Sequence, residues 1–107
     1  MSEVRYGKAG DEELVKKLPR RVAHAAFAVL EATAQGVPAT PSEAILFDQE
    51  SPSLAAFCSA LRRAIDRGLV DRWGRGVYVP TMRAHDLRTL LEDRYLADTA
   101  DKGEAGA

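Results

Sequence analysis

The sequence has few of the features that mark secreted, membrane-spanning or metal-binding proteins. It contains a single cysteine, which excludes an intrachain disulfide and a cysteine-based metal cluster. No apolar run approaches the ~20 residues that span a bilayer, and the N-terminal stretch has no apolar core of a signal peptide. We therefore expect a soluble, cytoplasmic protein with no membrane partner. Its 107 residues are enough for one domain with its own core.

Residue patterns of catalysis and cofactor binding are also missing. The sequence has no phosphate-binding loop and no nucleotide-binding glycine motif. Cys58 lies on an apolar helix face with no histidine beside it, and His24 has no partner at metal-ligand spacing. His85 and Asp86 are adjacent, so they point to different sides of a helix. We predict no catalytic residue, no metal site and no cofactor, and a solvated or hydrogen-bonded His24.

The net charge of −1 disfavours a nucleic-acid binder, but the charges are unevenly distributed. Residues 1–15 and residues 96–107 each carry a charge of −2. Residues 16–75 contain nine basic and six acidic side chains, a net charge of +3. The modestly basic middle of the chain keeps DNA binding possible.

The stretch 51–80 predicts one long helix followed by a β-hairpin. Ser51 and Pro52 suit the cap and first position of the helix, and Arg67 and Gly68 suit its end. Apolar residues recur at helical spacing along one side: Leu54, Phe57, Cys58, Leu61 and Ile65. The opposite side carries small residues and then arginines: Ser53, Ala56, Ser59, Ala60, Arg63 and Arg67. Such a slim, cationic face fits the DNA major groove, and a plain solvated surface is the alternative.

The predicted hairpin has two β-prone runs that flank Gly74-Arg75, with Arg75 exposed at the tip. A two-residue turn and a bulged turn with Gly76 in the left-handed conformation are both possible. We expect Tyr78 to face the helices and Arg72 to point outward. Trp73 has two interpretations, a lid over the base of the hairpin or a platform that stacks on a nucleic-acid base.

Helices are predicted on both sides of this unit. Upstream, they cover residues 11–18 and 20–35, and a capping box at Thr40-Pro41-Ser42-Glu43 opens a short helix. Downstream, Thr81 caps a helix that ends near Ala97, whose apolar stripe packs either on its own domain or on a second copy. Residues 1–10 and 98–107 are predicted to be disordered, which leaves one domain over residues 11–97.

The order helix, short helix, turn, long helix, hairpin (GLVDRWGRGVYVP) and trailing helix resembles the winged helix-turn-helix family over residues 20–80. The resemblance implies a mainly α fold with a small β-hairpin and an additional C-terminal helix. It implies binding to double-stranded DNA. We expect a transcriptional regulator or a phage- or plasmid-type control protein that acts as a homodimer through its last helix. The implied DNA contacts are Thr40, Ser42, Ser53, Ala56, Ser59, Ala60, Arg63, Arg67, Arg72 and Arg75, and the predicted dimer contacts are Leu87, Leu90, Leu91 and Tyr95. A winged-helix module that binds a protein partner through the long helix is the alternative.

Overall fold

The computed structural model describes residues 9–106, and the side chains of residues 10–100, as helices and one antiparallel hairpin. The elements in chain order are α1 (Ala9–Lys17), α2 (Arg20–Ala34), α3 (Pro41–Ala44), a 3-10 turn (Ile45–Phe47), α4 (Leu54–Asp66), β1 (Val70–Trp73), β2 (Val77–Pro80), α5 (Met82–Asp86) and α6 (Arg88–Gly106). The prediction of a mainly α fold with a small hairpin is therefore confirmed. In this part of the chain, no helix combines the length and the apolarity needed to cross a membrane.

Helix α2 forms the centre of the core, because every residue from Val22 to Leu30 is buried. Alanine supplies about half of these positions, and its small side chain lets neighbouring elements approach closely. Helices α4 and α6 and strand β2 all pack against α2. A helix that is buried around its whole circumference is typical of a central element rather than of a surface helix.

Three helix caps fix where the elements begin. Thr40 and Thr81 act as predicted: Thr40 Oγ1 accepts a hydrogen bond from the Glu43 amide at 3.3 Å, and Thr81 Oγ1 accepts one from the Ala84 amide at 3.1 Å. The predicted cap of α4 is wrong by two residues, since Ser53 Oγ accepts from the Ala56 amide at 3.1 Å. Ser51 has a φ of +49°, whereas an N-cap residue adopts the extended conformation. Helix α4 ends as predicted, with Gly68 at a φ of +75°.

The hairpin joins the helices through its second strand. In the register of β1 and β2, Arg72 lies opposite Tyr78 and Trp73 lies opposite Val77. The loop between the strands has three residues, Gly74 to Gly76, and both glycines have a positive φ. On its other side, β2 meets the linker between α2 and α3, because the Tyr78 amide donates to the Ala39 carbonyl at 2.9 Å. Tyr78 is buried and Arg72 is exposed, as predicted, although these two cross-strand partners share one face.

The C-terminal helix differs from its prediction in two ways. It is interrupted at Leu87, which separates α5 from α6, and α6 continues to Gly106. The sequence predicts a disordered tail from residue 98, whereas the structure includes residues 98–106 in α6. Asp98 bonds to His24 and Arg94, and Thr99 Oγ1 donates to the Tyr95 carbonyl at 2.8 Å. Of the predicted N-terminal disordered lead, Ala9 and Gly10 belong to α1, and residues 1–8 lie outside the described residues, as does residue 107.

Candidate nucleic-acid interface

The exposed face of α4 includes most of the residues that the sequence placed there. Ser53, Ala56, Ser59 and Arg63 are exposed, while Phe57, Leu61 and Ala64 are buried in the core. Ala60 is only 3% exposed, so its predicted contact with DNA is wrong. It follows Phe57 by three residues and precedes Ala64 by four, and this spacing puts all three on the same helix face.

The buried face of α4 is rotated from the one that the large apolar residues suggested. Leu54 is 50% exposed, and Cys58 and Ile65 are only half-buried. The residues opposite the true buried face include Arg62, which is exposed and which the sequence interpretation missed. The alanines at positions 60 and 64 could have indicated this rotation. They face the core because α2 is also alanine-rich where the two helices pack.

Five exposed arginines lie on α4, just after it and on the hairpin: Arg62, Arg63, Arg67, Arg72 and Arg75. Among the described side chains, none of these five has an ion-pair partner. Between residues 54 and 80 they are opposed only by Asp66 and Asp71, so this segment has a net charge of +3. We call these five residues the unpaired arginines.

Every other arginine with a described side chain forms an ion pair. The pairs are Arg20 with Glu50, Arg21 with Asp48 and Glu50, Arg83 with Asp11, Arg88 with Glu31 and Arg94 with Asp98. We call these five residues the paired arginines. Carboxylates from the first half of the chain or from α6 therefore neutralise one group of arginines, and the other group has no such partner among the described side chains.

A shallow cavity of about 200 Å³ lies between the N-terminal half of α2 and the exposed face of α4. Its lining includes Arg63 and Ser59 from α4, and Arg21 and Val22 from α2. The structure thus brings four of the predicted α4 residues next to α2, since Ala56 and Ala60 also line this cavity. Thr40 and Ser42 lie at the start of the four-residue helix α3, where the Thr40 hydroxyl is engaged as the cap and Ser42 is exposed.

The predicted dimer contacts lie in the core of the single chain. Leu87, Leu91 and Tyr95 are buried, and the half-buried Leu90 packs against the same core. The ring of Tyr95 lies 4.8 Å from that of His24 and 5.0 Å from that of Phe27, measured between centroids. The prediction that these residues join two copies is therefore wrong. The apolar stripe of α6 packs on its own domain, which is the other possibility that the sequence left open.

A cluster of charged residues joins α2, the loop before α4, and α6. It consists of Arg20, Arg21, His24, Asp48, Glu50, Arg94 and Asp98, and we call it the ionic cluster. His24 is fully buried, with Nε2 at 2.7 Å from Asp98 Oδ2 and Nδ1 at 3.2 Å from Glu50 Oε1. Arg20 Nε donates to Glu50 Oε2 at 3.0 Å, and Arg21 bonds to the same carboxylate. His24 is thus hydrogen-bonded, one of its two predicted environments.

These contacts change the acidity of three side chains. The hydrogen bonds from Arg20 lower the pKa of Glu50 to about 2, against the opposing effect of burial, and the charges of His24 and Arg21 add to the lowering. Burial raises the pKa of Asp98, but the hydrogen bonds from His24 and Arg94 outweigh it, so the pKa lies below its ordinary value. Burial also raises the pKa of Tyr95, whose hydroxyl accepts a hydrogen bond from the Gln49 amide at 2.7 Å.

His24, Asp48 and Glu50 are the residues of the described part with the best geometry for a metal ion, since their ligand atoms lie within 4.8 Å of one another. The carboxylates of Asp48 and Glu50 are already bonded to Arg20 and Arg21, however. A cation would have to displace two guanidinium groups to bind there. The arrangement therefore favours a structural role for the ionic cluster over metal binding.

Comparisons with known proteins give no further guidance, because no protein-family model, curated protein or solved structure matches the chain significantly.

Proposed function

We propose that this protein binds double-stranded DNA as a winged helix-turn-helix domain, with the exposed face of α4 in the major groove and the hairpin on the flanking backbone. The unpaired arginines are the observation that carries the proposal. Five like charges between residues 62 and 75 repel one another, and a polyanion that neutralises them relieves this repulsion. The five paired arginines show that carboxylates compensate this residue type elsewhere in the same fold.

The local architecture supports the same proposal. Helix α3 and the 3-10 turn precede α4, and the hairpin follows α4 after three residues. The bond between Tyr78 and Ala39 attaches the hairpin beside the linker that leads to α3. This order fits a recognition helix that lies between a supporting helix and a wing. Ser53, Ala56 and Ser59 then supply a slim surface for the groove, with Arg62 and Arg63 following on the same helix.

The proposal is tested by measuring how duplex affinity depends on salt. A fluorescently labelled duplex is titrated with the protein at several salt concentrations from ~50 mM upward, and binding is followed by anisotropy. Four to five arginine–phosphate contacts give a slope of log K against log salt of about −4 for a single bound copy. A slope nearer to −8 indicates two copies on one duplex.

Matched double variants identify the surface. Arg63→Gln/Arg75→Gln removes two unpaired arginines and should make the slope shallower by about 2. The control, Arg83→Gln/Arg88→Gln, removes the same charge from two paired arginines and should leave the slope unchanged. Equal losses in both variants would assign binding to net charge alone. An absence of duplex binding at ~50 mM salt would refute the proposal and favour a protein partner instead.

A further inference from the structure

We propose that Trp73 stacks on an unpaired nucleobase, so that the preferred ligand is duplex DNA that ends in a single-stranded overhang. This inference rests on the proposed function and names the form of DNA that the same surface prefers. It concerns the hairpin rather than α4. It arises from one side chain that the fold does not explain.

Trp73 is 64% exposed, although tryptophan carries a large apolar surface that folding normally covers. It is the last residue of β1, and its cross-strand partner is the half-buried Val77. Cross-strand partners approach within ~5.5 Å, so one side of the indole has a neighbour on the sheet. In the described part of the chain, Trp73 makes no hydrogen bond and no contact with another ring. Most of the indole is therefore available to a ligand.

A charge near Trp73 indicates the kind of ligand. Arg75, one of the unpaired arginines, follows Trp73 in the loop of the hairpin, whereas the side chain of Arg72 lies on the opposite face of β1. An apolar protein surface that covered the indole and the loop would also have to remove water from the guanidinium group of Arg75, which has no carboxylate partner among the described side chains. A nucleotide provides a flat ring for the indole and a phosphate for Arg75 at the same time. The combination therefore fits a nucleic acid better than an apolar peptide.

Stacking requires a base with an exposed face. Inside a duplex, both faces of every base are covered by its neighbours, and uncovering one costs a few kcal/mol. An overhang offers the same face without this cost. A single indole at a hairpin tip beside a duplex-binding surface thus fits the junction between paired and unpaired DNA.

The sequence contains one tryptophan and three tyrosines, so fluorescence excited at a wavelength that tyrosine does not absorb reports on Trp73 alone. Three ligands are compared: a blunt duplex, the same duplex with a short thymidine overhang of either polarity, and the single strand. We expect the overhang to raise affinity roughly tenfold over the blunt duplex, in keeping with base–aromatic stacking. We also expect the overhang duplex, but not the blunt one, to quench the tryptophan fluorescence at saturation.

Substitutions at the same position separate stacking from a general loss of binding. Trp73→Ala should abolish the tenfold preference and leave affinity for the blunt duplex nearly unchanged, whereas Trp73→Phe should retain part of the preference. Circular dichroism checks that both variants fold, which the exposure of Trp73 favours.

Two outcomes would overturn the inference without touching the proposed function. The first is salt-dependent binding of both duplexes with equal affinity. The second is equal quenching by the blunt duplex, which would mean that the indole stacks on the terminal base pair or inserts between paired bases and needs no overhang. Failure of every DNA ligand to bind would refute both proposals.

Discussion

The paired and the unpaired arginines are equal in number in the described side chains and opposite in environment. The paired arginines contact carboxylates on α1, on α2, in the loop before α4, or on α6, and each pair joins two elements or two turns of one helix. The unpaired arginines are confined to residues 62–75 and face solvent. The same residue type thus stabilises the fold in one region and forms a cationic surface in another. The net charge of −1 does not show this difference between the two groups of arginines, because most of the carboxylates are distant from the unpaired arginines in sequence.

The largest effect on stability should come from Glu50, which bonds to two of the paired arginines. A pKa lowered from 4.5 to about 2 corresponds to about 3 kcal/mol of folding free energy at neutral pH. Glu50→Gln should therefore reduce the free energy of unfolding by about that amount, as measured by urea denaturation at pH 7. The matched control is Glu13→Gln on exposed α1, where Glu13 lies 4.0 Å from Lys17 and the expected change is under ~0.5 kcal/mol. Equal effects in the two variants would contradict a stabilising role for the ionic cluster.

The contribution of Glu50 should also depend on pH, with a defined sign. Its pKa is lower in the folded state, so the stabilisation is fully present above the unfolded value of 4.5 and is lost as pH falls towards about 2. The difference in unfolding free energy between wild type and Glu50→Gln should therefore shrink steadily from pH 5 to pH 2. Denaturation curves at four pH values in this range provide the measurement. A difference that stays constant, or that grows on acidification, would be inconsistent with the ion pairs seen here.

The paired and the unpaired arginines can be compared directly by substituting glutamine for one member of each group. Arg94 bonds to Asp98 and also donates to the backbone carbonyls of Val15 and Leu18, at 2.9 and 3.0 Å. Because Arg94→Gln leaves these acceptors and the Asp98 carboxylate with fewer donors, we expect a loss of about 2 kcal/mol. Thermal unfolding followed by circular dichroism would measure it. A melting temperature equal to that of wild type would show that these bonds contribute little.

The smallest effect on stability should come from Arg63→Gln. Arg63 is exposed and has no ion-pair partner among the described side chains, so its removal should change the free energy of unfolding by less than ~0.5 kcal/mol. Loss of duplex affinity without loss of stability would sharpen the division between the two groups. A clear destabilisation would instead place Arg63 among the residues that maintain the fold.

Local sequence signals predicted most of the elements but not how they meet. Thr40, Thr81 and Gly68 act within one turn of their own position, and the structure confirms each of them. The rotation of α4 was mispredicted because alanine carries little hydrophobic signal. Whether Ala60 is buried depends on α2, and the sequence of α4 does not contain that information.

The same distinction between local and long-range information holds for the candidate site. The exposed arginines of α4 and the hairpin could be predicted from periodicity, apart from Arg62, whereas their lack of partners could not. The bond between His24 and Asp98 joins residues 74 positions apart, and no local pattern predicts such a pair. The start of α4 was mispredicted for a similar reason. Ser51 has a left-handed backbone, and the loop before α4 is held by bonds to Tyr95 and to the paired arginines, which are distant in sequence.

The position of Asp98 has a consequence for where this domain can be shortened. A chain cut after Ala97, where the hydrophobic pattern ends, would retain Leu87, Leu91 and Tyr95 in the core. It would nevertheless remove the one carboxylate that both His24 and Arg94 contact. The fully buried imidazole of His24 and the half-buried guanidinium of Arg94 would then each lose a hydrogen-bond acceptor. The C-terminal limit of the folded domain is therefore set by a charged residue, three residues beyond Tyr95, the last buried apolar side chain among those described.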